Sequence, residues 1–96
     1  MDTSNPVSIA ISLVGLQPLA KAVGVSYQMI RKYERFGTSA ERVLAVARAT
    51  GWRVTPHSLR PDLYPNAPDA LPAEVAEAVA WGTWPTLLDL AEQAAA

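Results

Sequence analysis

Residues Leu16 to Arg35 (LQPLAKAVGVSYQMIRKYER) restrict the architecture of this chain more than any other stretch. Ala20 and Gly24 stand four apart, Ile30 follows Gly24 by six, and Val23, Val25 and Tyr33 complete the apolar set. Two helices that cross steeply need a small side chain where the first meets the second, and Ala20 supplies it. Gly24 reaches positive φ without a Cβ clash and so ends the first helix tightly. Val25 and Ile30 then turn inward, leaving the opposite face of the second helix to solvent. The spacing predicts a helix-turn-helix.

Signals for helix starts and stops extend this pattern in both directions. Asn5 and Pro6 read as N-cap and first helical position of a helix over about 6–14, ended by Gly15. Gln17 and Pro18 start the next helix, to Val23, and Ser26 caps a third running to about Arg35. Gly37 closes that one. Thr38 or Ser39 caps a fourth from Ala40 to Thr50, whose expected buried stripe is Val43, Leu44, Val46 and Ala47. Trp52–Thr55 reads as a short extended segment or strand without an evident partner. Thr55 and Pro56 open a one-turn helix through Leu59, and Pro61, Pro65 and Pro68 forbid regular helix beyond it. In that proline-rich strap, Leu59, Leu63 and Tyr64 are expected to clip over the helical body, with Arg60 and Asp62 as a local ion pair.

Residues 66–96 form a different kind of sequence. Leu71, Val75, Ala78 and Val79 share one helical face opposite Glu74 and Glu77, and Gly82 interrupts. Trp84, Leu87, Leu88 and Ala91 make a second stripe. Isolated helices this short are marginal in water, so they must pack on the first part, on a second copy or on another protein. The expected organisation is a domain over 1–65 and an acidic, Ala-rich helical tail over 66–96, a candidate for dimerisation or partner binding.

The net charge of −1 conceals a division along the chain. Residues 1–60 carry all eight basic side chains against three acidic ones, a net +5, whereas residues 61–96 carry six acidic side chains and no basic one. A basic first part suits a polyanion, and an acidic end avoids one or grips a basic partner. The chain has no cysteine, which excludes disulfides and thiolate metal sites. Its single histidine, His57, has no partner histidine for a zinc site and reads as structural. Ser58 lacks an oriented base, and the five glycines are scattered stops rather than a phosphate loop. Neither an enzyme nor a cofactor is expected. The apolar run Val7–Leu16 is too short for a bilayer and lacks a basic flank, so the expected setting is cytoplasmic, without a membrane partner.

With Val25, Ile30 and Tyr33 pointing in, the third helix leaves Ser26, Tyr27, Gln28, Arg31, Lys32 and Arg35 outside. All are hydrogen-bond donors. Gln pairs bidentately with adenine and Arg with guanine in the major groove, which makes Gln28 and Arg31 the candidate base readers. Ser26, Tyr27, Lys32 and Arg35 suit phosphates, which fix position without reading sequence. Gln17, with the free amides opening the second helix, is a further phosphate candidate. Glu34 is the one acid on this helix and stands three residues from Arg31, at ion-pair spacing. Met29 reads as a filler at the rim of the core. Trp52, Trp81 and Trp84 read as core or interface anchors.

Residues 15–65 resemble the Cro-like regulators of phages and prophages, including the YdaS-type group of antitoxins. The resemblance is carried by GLQPLAKAVGVS (15–26), SAERVLAVARATG (39–51) and VTPHSLRPDLYP (54–65), the LRPDLYP strap being its most specific piece. It implies a mainly α, lambda-repressor-like DNA-binding domain of about five short helices, here followed by the C-terminal pair of amphipathic helices. It also implies double-stranded DNA as partner, a dimeric or higher assembly on its operator, repression or switching of nearby promoters, and contacts from Ser26, Tyr27, Gln28, Arg31 and Lys32; a symmetric dimer, repressing its promoter, would demand a palindromic operator. Relatives often carry Gln where Tyr27 stands and Trp where Tyr33 stands. The tail has no counterpart in the pattern. An antitoxin or other protein-binding module using the acidic tail is the alternative.

Overall fold

The computed structural model describes residues 5–87, 89, 90 and 92. Its regular elements are α1 (Pro6–Val14), α2 (Leu16–Val23), α3 (Tyr27–Phe36), a 3-10 turn (Ala40–Arg42) leading into α4 (Val43–Ala49), α5 (Pro56–Leu59) and α6 (Ala73–Ala80). The described residues contain no strand.

Side-chain caps set the first boundaries. The Asn5 side chain accepts from the amides of Val7 and Ser8 at 2.9 and 3.2 Å, which opens α1 with Pro6 in its first turn. Gly15, at φ 99°, turns the chain by 104° into α2, and a Cβ there would press on the Pro18 ring at 3.3 Å. Gly24 adopts φ 84°, and the amides of Gly24 and Val25 both bond to the Ala20 carbonyl at 2.9 and 3.0 Å. Two residues after Gly24, Ser26 caps α3 through its hydroxyl, which accepts from Met29 N at 3.2 Å. These are the parts of a helix-turn-helix, and α2 and α3 form one.

One core lies between the helices. Ile9, Leu19, Ile30, Val43, Val46 and Val54 are fully buried, and Val7, Ala10, Ala20, Val23, Ala47 and Leu59 join them. No described helix is by itself long and apolar enough to cross a membrane. The apolar residues Val7, Ile9 and Ala10 of α1 and Leu19, Ala20 and Val23 of α2 instead belong to this core.

Several expectations need correction. The fourth helix begins as a 3-10 turn, and only Val43, Val46 and Ala47 of its expected stripe are buried, with Leu44 39% exposed. Val43, Val46 and Ala47 stand at i, i+3 and i+4 on one helical face, and Leu44, one residue after Val43, falls at its edge. Trp52–Thr55 is a turn and not a strand. Gly51 and Trp52 both take φ 65°, and the Val54 amide is engaged by the Thr50 hydroxyl at 3.0 Å. In the strap, Arg60 binds Asp62 at 2.8 Å and also donates to the Thr38 carbonyl at 2.9 Å, pinning the strap to the loop after α3. His57 Nδ1–H donates to the Tyr64 carbonyl at 2.7 Å, closing the strap on itself. Leu59 is buried and Tyr64 packs at the core edge, but Leu63 points outward at 45% exposure.

The tail returns to the body. Gly82 takes φ 74°, and a last helical turn opens at Thr86 with a reciprocal cap: Thr86 N donates to Asp89 Oδ2 at 3.0 Å and Asp89 N to Thr86 Oγ1 at 3.2 Å. Leu90 is completely buried in the shared core, Leu87 packs beside it, and Trp84 Nε1–H donates to the Trp52 carbonyl at 2.9 Å. The expected tail stripe therefore omitted its most buried member; Leu88 and Ala91 lie outside the described residues. Trp81, expected as an anchor, is 77% exposed because the chain reverses beside it at Gly82. On α6 no residue is fully buried.

Candidate nucleic-acid interface

The inner edge of α3 is fixed by two buried residues, Ile30 and Tyr33, and the Tyr33 hydroxyl accepts from Ser39 Oγ at 3.3 Å. With that edge held, Ser26, Tyr27, Gln28, Arg31, Lys32 and Arg35 all lie exposed on the outer side, as the sequence periodicity predicts. Gln17, in the first turn of α2, is exposed as well. Met29, expected as a filler at the rim of the core, is 37% exposed, and Phe36 is exposed at the end of the helix, with the Arg35 guanidinium 5.3 Å from its ring centre. The outer face combines the cations Arg31, Lys32 and Arg35 with Ser26, Tyr27 and Gln28, and the apolar Phe36 stands exposed at its end.

Glu34 behaves in a way that its spacing from Arg31 only half reveals. Its Oε1 accepts from Arg31 Nη1 at 2.9 Å, the anticipated pair, but its Oε2 accepts from Ser8 Oγ of α1 at 2.7 Å. Its backbone carbonyl accepts in turn from Asn5 Nδ2 at 2.6 Å. The Ser8 hydroxyl holds the carboxyl below the usual carboxylate range, opposing the upward push of desolvation, and Arg31 lowers it further. Glu34 is thus an ion held at the joint of α1 and α3. Contacts 26 and 29 residues apart leave no local signal in a sequence.

Arg53, in the turn after α4, lies 5.9 Å from the Trp84 ring centre and is engaged with the tail. Arg60 is tied to Asp62 and Thr38.

A small all-helical domain with a helix-turn-helix and a cationic outer helix is the class that these observations define. The chain belongs to the bacterial toxin YdaS family, whose model matches residues 7–68, from α1 through the strap. It is thus of a family of small phage-type regulators or toxin–antitoxin components. The tail beyond residue 68 lies outside that match. No curated protein and no solved structure matches the chain.

Proposed function

We propose that this protein is a sequence-specific DNA-binding regulator, a Cro-like repressor that acts as a dimer, and not an enzyme. One observation carries the reading: α3 is anchored by Ile30 and Tyr33 while Gln28, Arg31, Lys32 and Arg35 stand exposed together on its outer face. Gln28 and Arg31 read adenine and guanine edges; Ser26, Tyr27, Lys32, Arg35 and Gln17 bind phosphates. A single small module buries only about 600–1,000 Å² on DNA, which favours two copies on half-sites about 34 Å apart.

A second reading rests on a different surface. The α6 helix buries no residue fully, carries Glu74 and Glu77, and ends beside the exposed Trp81, which suits a basic protein partner in a toxin–antitoxin pair. The description of the family as a toxin supports that reading, and the two roles are compatible in one chain.

The test is fluorescence anisotropy with the duplex upstream of the coding frame and a scrambled duplex, at two salt concentrations. Wild type is expected to prefer the upstream duplex, and Arg31→Ala to lose about tenfold or more of that preference. Equal binding of both duplexes with a steep salt slope would mean phosphate attraction alone. No binding at low salt would contradict the proposal and favour the protein partner.

A further inference from the structure

Glu34 is a puzzle for a DNA-facing helix. A carboxylate beside phosphates is repulsive, and Arg31 needs no partner for its own charge. The geometry around Glu34 resolves this. Its two oxygens are divided between the scaffold and the candidate reader, Oε2 taking the Ser8 hydroxyl at 2.7 Å and Oε1 taking Arg31 Nη1 at 2.9 Å. The Asn5 amide fixes its backbone at 2.6 Å from the other side. Ser8 is buried and belongs to α1, so the anchor point is set by the core and not by solvent. Arg31 itself remains exposed, its side chain at 55%.

We propose that Glu34, braced by Ser8, is a positioning residue for base reading: it holds the Arg31 side chain in one orientation, ready for a guanine edge. This inference rests on the DNA-reading proposal above. An arginine has several rotatable bonds to immobilise on binding, and a guanidinium already tethered at one nitrogen loses less freedom when it docks. The tether occupies one end of the fork and leaves its other donors for the base. The acid acts also as a negative element, since its charge weakens indiscriminate phosphate binding while the aligned Arg31 keeps the specific contact. Discrimination then rises at some expense of overall affinity.

A merely structural Glu34 and a positioning Glu34 predict different binding patterns. The experiment measures affinity of Ser8→Ala, Glu34→Gln, Arg31→Ala and the double variant Ser8→Ala/Arg31→Ala for the upstream and scrambled duplexes. Thermal melts establish that each variant is folded at the assay temperature. Glu34→Gln is expected to bind the scrambled duplex as tightly as wild type or more tightly, yet to lose about fivefold of the upstream preference, as expected for residues sharing one hydrogen-bond network. Ser8→Ala changes no charge and never reaches DNA, so it should lose preference with unchanged binding to the scrambled duplex. In the double variant the Ser8 change should add nothing to the loss from Arg31→Ala. If Ser8→Ala and Glu34→Gln keep the preference while Arg31→Ala loses it, the positioning role is wrong and the DNA reading stands. If both variants weaken the two duplexes equally, Glu34 is only a strut between helices and the inference is overturned. If Arg31→Ala keeps the preference, or wild type shows none, the reading role of Arg31 fails and the inference falls with it.

Discussion

At the residue scale, local chemistry was legible where a side chain acts on its own neighbourhood. Asn5, Ser26 and Thr55 each accept from a backbone amide two or three residues ahead, so their capping roles follow from residue type and position. Glu34 shows the boundary of that legibility. Its pairing with Arg31 is a local spacing, but its bonds to Ser8 and Asn5 exist only because α1 folds across α3. The same contacts give a pH dependence. The native carboxyl of Glu34 is lowered, so its contribution to stability is complete above the unfolded value of about 4.3 and is lost as pH falls through the lowered native value. Asp62, held by Arg60, and Asp89, held by the Thr86 amide, act in the same direction. Thermal melts taken downward from pH 5 should therefore show a falling midpoint in wild type and a shallower fall in Glu34→Gln. Equal slopes would contradict the assigned role of the Ser8 bond.

At the element scale, the helix boundaries were readable because proline, glycine and capping residues mark them, whereas the inward faces were only partly readable. In α4 the buried residues Val43, Val46 and Ala47 keep the i, i+3, i+4 spacing and Leu44 falls at the edge of that face, a distinction that apolar character alone does not encode. The strap divides similarly: Leu59, at the end of capped α5, is buried, and Leu63 is directed outward once Arg60 and His57 are pinned to Thr38 and Tyr64. Leu59→Ala should then cost about 2–5 kcal/mol. Leu63→Ala should cost no more than about 0.5 kcal/mol. Urea unfolding of both variants checks the contrast, and similar losses for the two would show that the strap packs differently.

At the scale of the whole molecule, the acidic end is part of the fold. Its first helix, α6, buries no residue fully, but the chain then reverses at Gly82 and places Leu90 in the core. The sequence carried a signal for Leu90, which stands three residues after Leu87 on the same helical face, but it shared that signal with Leu88 and Ala91. The burial of Leu90 goes with the docking of Trp84, a contact 32 residues from its partner Trp52. Leu90→Ala should lower stability by about 2–5 kcal/mol and do so at every protein concentration. A loss that appears only on dilution would show that the tail is held by a second copy instead.

On the proposed reading, the basic α3 face meets a polyanion and the acidic tail avoids one. Selection from a randomised duplex pool, followed by sequencing of the bound fraction, tests this most directly. A sequence-reading α3 predicts one enriched motif containing a guanine position that becomes indifferent in Arg31→Ala, while its other positions persist. A bound fraction as random as the input would contradict the account.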